Sequence, residues 1–96
     1  MVAARIVKPF ALGQIVATRG ALAALEKSGQ PPLLFILRHA ANDWGEVGSE
    51  DWQANDEALE HGDRLLSAYR TSLGDRLWII TEASREVTTL LTPDEY

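Results

Sequence analysis

The sequence predicts an α+β domain: three helices followed by a three-stranded antiparallel β-meander, with a short strand ahead of the first helix. Three observations lead there. Between Thr18 and Gly62 apolar residues recur at helical spacing, in stretches bounded by capping residues, prolines and glycines. After Gly62 the pattern turns into short β-rich runs. Those runs are joined by Thr71–Asp75 and Ala83–Glu86, five and four residues long, which suits hairpins and is too short for parallel crossovers. Helices before strands in 96 residues read as one α+β domain with a modest core.

Taken in order, Gln14–Ala17 is a short apolar run after Gly13 and reads as a strand or extended segment. Thr18 is a good N-cap, because its hydroxyl can accept an orphan amide hydrogen bond. Ala21, Leu22, Ala24 and Leu25 then share a helical face, and Gly29 is a natural C-terminal stop. Pro31 and Pro32 open a second helix, which carries Leu33, Leu34, Ile36 and Leu37 and runs to about Ala41. Asn42–Gly48 is a loop by its Asn, Asp and two glycines. Ser49 caps a third helix, with Glu50 and Asp51 at the positive end of its dipole, Trp52, Asn55 and Leu59 on its inner side, and Gly62 ending it. The strands are Arg64–Arg70, Arg76–Glu82 and Val87–Leu91, closed by Pro93. The expected core is Leu22, Leu25, Leu34, Leu37, Leu59, Leu66, Leu77, Ile79 and Leu90, and Trp78, mid-strand between two of these, is expected to be structural.

Cysteine is absent, which removes disulfides, thiolate chemistry and cysteine-ligated metal centres. His39 and His61 have no spacing that pairs them as metal ligands. There is no Gly-rich phosphate loop, no HExxH and no nucleophile elbow, so no metal or cofactor is expected. Met1–Phe10 lacks the apolar stretch and cleavage site of a secretory signal, and the longest apolar run is Leu33–Leu37. A cytoplasmic location with no membrane partner is the expectation.

The net charge of −5 is unevenly spread. Residues 1–41 carry +4, from Arg5, Lys8, Arg19, Lys27 and Arg38 against Glu26. Residues 42–63 carry −8 with no cation, and residues 64–96 carry −1. This distribution argues against binding nucleic acid over the whole surface, which wants a continuous basic face. It leaves open a local basic patch, or an acidic face that meets a protein with a basic surface. Asp43, Trp44, Glu50, Asp51, Glu57 and Glu60 are the candidate binding residues of that face. The bland alternative is a solvated helix face.

A catalytic alternative rests on His39, Glu82 and Arg85. His39 lies four residues before Asp43, and a His held by a carboxylate can serve as a general base. The commoner outcome for such a His is partial burial, capping the helix end or packing on Trp44. Glu82 and Arg85 flank the second hairpin, where Thr81 and Thr88 are expected to be cross-strand neighbours. With a facing His, they would supply what metal-free phosphodiester cleavage needs. Their ordinary reading is an exposed surface pair. Trp78 and Tyr69 can stack bases if they face solvent, although core packing is the stronger expectation for them and for Trp44 and Trp52.

The stretches Leu12–Leu25 (LGQIVATRGALAAL), Arg38–Gly45 (RHAANDWG), Asp51–Leu59 (DWQANDEAL) and Leu66–Tyr96 together resemble a family of small proteins carried by plasmids and integrative elements of proteobacteria. They are often labelled plasmid-related proteins and sometimes type I restriction endonuclease subunit M. The resemblance covers nearly the whole chain and is most specific in the RH…DWG and WIITE…TTLL segments; it departs at Arg19, where the family favours proline. It implies a mobile-element setting and no established activity. At the level of fold alone, helices ahead of a meander are also similar to the barnase–RelE-like ribonuclease toxins. The expected function is therefore a small soluble accessory protein that binds through its acidic helix and loop, acting on a host defence or restriction system. The ribonuclease-like toxin is the alternative.

Overall fold

The computed structural model describes residues 6–96; residues 1–5, which include Arg5 and open the segment read for a targeting signal, lie outside the described residues. The chain forms β1 (Gln14–Ala17), α1 (Arg19–Ser28), α2 (Pro32–Ala40), α3 (Ser49–His61), β2 (Leu65–Arg70), β3 (Arg76–Thr81) and β4 (Val87–Leu91), followed by a 3₁₀ turn at Pro93–Glu95. Among the described residues no helix is long and apolar enough to cross a membrane.

The meander β2–β3–β4 is antiparallel, but the sheet has four strands in the order β1-β4-β3-β2 and is mixed, because β1 runs parallel to β4. An extended segment must pair its backbone groups, and the outer edge of β4 offers partners. Gln14 N–H donates to Glu86 O at 2.8 Å and Thr18 N–H to Leu90 O at 3.0 Å. Gly13 permits the approach: its φ is +64°, and a Cβ there would sit 2.2 Å from Glu86 O.

The caps follow the sequence with one shift. Thr18 accepts from Ala21 N–H, and Gly29 adopts the left-handed conformation. Pro32 begins α2 with Pro31 as its cap. In α3 the cap is Gly48 rather than Ser49, which is already helical, so the expected side-chain cap is not made.

Register divides the sheet into two faces. Leu65, Ser67 and Tyr69 stand opposite Thr81, Ile79 and Leu77, and Ile79 and Thr81 oppose Leu90 and Thr88. All of these are buried, and α1 and α2 cover them with Ala21, Leu25, Phe35 and Ile36. Of the expected core, Leu25, Leu77, Ile79 and Leu90 are buried, while Leu59 and Leu66 are half-buried. Leu22, Leu34 and Leu37 are exposed. In α1 the inward direction is set by Ala21, Ala24 and Leu25, which leaves Leu22 on the flank. α2 is apolar all round, so periodicity could not choose its inner side. Phe35, Ile36 and His39 take that side, and Leu34 and Leu37 therefore face out. Trp78 belongs to the other sheet face and is half-buried.

The outer edge of β2 is closed by side-chain and loop groups. Asn55 of α3 pairs both backbone groups of Leu66, donating to its O at 2.7 Å and accepting from its N–H at 3.0 Å. The loop after α2 lies beside Ala68, whose N–H donates to Trp44 O at 3.0 Å and whose O accepts from Glu46 N–H at 2.6 Å. Asn42 clasps the segment before β1 in the same way, through Lys8 N–H at 2.7 Å and Lys8 O at 3.2 Å. Because Asn55 is buried and both of its bonds go to backbone, Asn55→Ala leaves two polar groups unpaired. The expected loss is about 2–4 kcal/mol in urea unfolding, against no measurable change for the exposed Gln53→Ala.

Candidate functional site

Three assemblies stand out: a buried polar chain through His39, the acidic surface of α3, and a groove between α3 and the outer face of the sheet.

His39 ends the inner face of α2 and is 0% exposed. Its Nδ1 is 2.5 Å from Ser67 Oγ, and its Nε2 is 2.9 Å from Thr81 Oγ1. Thr81 Oγ1 lies 2.8 Å from Thr88 Oγ1, so the expected cross-strand neighbours do meet. The Thr88 hydroxyl donates to Leu12 O at 2.7 Å. That carbonyl can only accept, and it sets the direction of every bond before it. Thr88 has spent its proton on Leu12, so Thr81 donates to Thr88. Thr81 has then spent its own, so His39 donates from Nε2. Nδ1 is left as an acceptor for the Ser67 hydroxyl. The imidazole is thus neutral and tautomerically defined, with Phe10 and Trp44 packed edge-on against it at 5.4 and 5.6 Å.

Burial, and after it the positive charge of Arg85, push His39 down to about 4 from its ordinary 6.5. Arg85 itself closes the C-terminal end of α3. Its guanidinium donates to Asp63 O at 2.7 Å, Glu82 O at 3.1 Å and Ala58 O at 3.3 Å, where a cation suits the negative end of the helix dipole. Glu82 is exposed on the surface. Of the three candidate catalytic residues, His39 is enclosed, Glu82 is exposed, and Arg85 is committed to backbone carbonyls. Ser67 and Leu12, which complete the chain, carry no sequence signal as site residues. The Thr81–Thr88 register and the packing of His39 on Trp44 were readable in advance.

The candidate binding residues divide by exposure. Trp44 is 0% exposed and donates its indole N–H to Asp56 at 3.0 Å, so it supports the acidic loop from beneath and cannot touch a partner. Asp43 is half-buried and bound to Arg38 at 2.8 Å. Glu50, Asp51, Glu57 and Glu60 are exposed. Glu60 pairs with Lys8 at 2.6 Å, which holds its carboxyl below the usual range. Glu57 accepts from Gln53 at 3.1 Å. Glu50, Glu57 and Glu60 lie along the outer side of α3, opposite the buried Asn55 and Ala58.

The groove has a volume of about 690 Å³ and is bounded by α3 on one side and by Leu66, Ala68 and Trp78 of the sheet on the other. Among the described residues no group of His, Asp and Glu side chains could hold a metal ion. No protein-family model matches this chain, and no curated protein or solved structure is significantly similar to it.

The His39 chain has a measurable acid dependence. The folded-state value lies below the unfolded one, so both states carry neutral imidazole above pH 6.5 and no slope arises there. As pH falls from 6.5 towards about 4 the unfolded chain takes up a proton that the folded chain refuses, and stability is lost across that window. The loss is expected to be on the order of 3 kcal/mol. Urea unfolding at pH 7 and pH 4 checks it: His39→Gln should be less stable at neutral pH and should lose correspondingly less on acidification.

Proposed function

We propose that the protein is a small accessory factor of a mobile element that acts by binding a protein with a basic surface, through the outer side of α3 and the loop before it. The mobile-element setting, and an action on a host defence or restriction system, come from the family resemblance of the sequence. The binding mode comes from charge. The observation that carries it is the exposed row Glu50, Glu57 and Glu60 on one side of a single helix.

Folding accounts for only part of that row. Glu50 and Asp51 in the first turn favour the positive end of the helix dipole, by roughly 0.3–1 kcal/mol each. Glu60 stands in the last turn and Glu57 just before it, where a carboxylate meets the negative end and is unfavourable. Lys8 offsets Glu60 alone. Glu50 has no ion pair or hydrogen bond among the described residues, and neither has Asp51. A field of one sign on an ordered helix speeds encounter with an oppositely charged surface and rejects acidic competitors.

The combined variant Glu50→Lys, Glu57→Lys, Glu60→Lys tests the reading. All three side chains are exposed, so the circular-dichroism spectrum should stay native. Capture of a host protein by the tagged chain should be lost, and whatever binding survives should depend less on salt. A triple variant that captures the same protein as fully as wild type overturns the proposal.

A further inference from the structure

The groove between α3 and the outer sheet face borders the acidic row, sharing Glu57 with it, but has a different chemistry. Strand register places Arg70 directly opposite Arg76 at its floor. Two like charges facing each other across a strand pair weaken a sheet, and only one of them is neutralised inside the molecule. Arg70 binds Glu46 at 2.9 Å, whereas Arg76 is exposed with no ion pair or hydrogen bond among the described residues. The third arginine of the groove, Arg64, donates to the Tyr96 hydroxyl. Among the described residues Arg64 and Arg76 therefore face the groove without a carboxylate partner, and Arg76 alone has its guanidinium uncommitted.

Next to Arg76, on the same sheet face, stands Trp78. Its ring is half-buried, and Tyr96 packs against it at 5.6 Å and 66°. Tyr96 is carried there by an anchored tail: Glu95 accepts from the Thr18 hydroxyl at 2.5 Å, Gly20 N–H at 2.9 Å and Thr92 N–H at 2.8 Å. The wall contributed by α3 adds Asp51, an acceptor whose side chain has no partner among the described residues.

We infer that this groove binds a nucleoside monophosphate unit. The phosphate takes Arg76, with Arg70 beside it. The base stacks on Trp78, and amino or hydroxyl hydrogens of the base or sugar donate to Asp51. Residues two apart on one strand face are separated by about 6.6 Å, the reach of one nucleotide from its phosphorus to its base. The volume lies in the range of small-ligand sites. A bare polyanion would be repelled by Asp51, Glu57 and Asp63, which also line the groove. A single phosphate bearing a donor-rich base uses both signs of charge. The inference is compatible with the absence of a continuous basic face, because it asks for one local cation and one aromatic platform.

The test titrates the intact chain with adenosine 5′-monophosphate, a short single-stranded oligoadenylate and inorganic phosphate, followed by calorimetry and by the amide and indole NMR signals. Saturable one-to-one binding of the monophosphate is expected, moving the Trp78 indole signal and exceeding the affinity for inorganic phosphate. Arg76→Glu and Trp78→Leu should each weaken it by roughly tenfold. Arg19→Glu, which makes the same charge change on an exposed residue of α1, should leave it unaltered, and native circular dichroism of each variant excludes unfolding as the cause. Oligoadenylate binding much tighter than the monophosphate assigns the natural source to single-stranded RNA, and equal affinity assigns it to a free nucleotide. No saturable binding of either probe at millimolar concentration, binding no tighter than inorganic phosphate, or binding that Arg76→Glu leaves intact overturns the inference.

Discussion

The donation of the Thr88 hydroxyl to Leu12 O organises the interior of this protein. One acceptor at the end of a line of hydroxyls decides the polarity of four consecutive hydrogen bonds and the tautomer of a buried histidine. The line ties together the segment before β1, three strands and α2, elements brought together from both ends of the chain. It also lies against the second apolar cluster, built on Trp44, Ala58 and Leu65, through the rings of Phe10 and Trp44. Buried polar groups cost stability unless every one is paired. Among the described residues none of the buried side-chain polar atoms lacks a partner. The arrangement accepts only one pairing of β3 with β4, because a slip by one residue would remove Thr81 from Thr88 and break the line between His39 and Leu12.

The same economy governs the sheet edges and the surface charge. β2 is finished by side-chain amides and by the loop backbone, so α3 is held against it by Asn55 as well as by Ala58, Trp52 and Leu59. This fixes α3 at an angle that presents its acidic side outward and opens the groove on its flank. Arg85, left-handed at φ 62°, closes the other end of the helix by meeting its carbonyls. The two surfaces that the functional readings use are consequences of how one helix is anchored to one strand.

Element order was legible because it depends on local physics. Thr18, Pro32, Gly29 and Gly62 act on the few residues around them, and the β-rich composition of β2, β3 and β4 needs no knowledge of the neighbours. The exposed carboxylates of α3 could be read for the same reason, since charge on a polar helix stays in water. The expected core was less legible. An all-apolar helix such as α2 has no preferred side until a partner surface is chosen, and the choice went to Phe35, Ile36 and His39. Trp44 carries two opposed expectations, core packing by its size and partner contact by its acidic neighbours, and its full burial agrees with the first.

What the sequence determined by itself is the succession of three helices and three hairpin-joined strands, and the concentration of negative charge on the third helix, both set by residues within a few positions of one another. Only the tertiary structure decided that β1 joins β4 in parallel, that His39 is enclosed and neutral, and that α3 stands beside Arg76 and Trp78 to wall the groove. Each of these depends on groups distant along the chain meeting in one register. The physical reason is that a hydrogen bond or a contact between such groups exists only after the sheet has closed, so no local pattern encodes it.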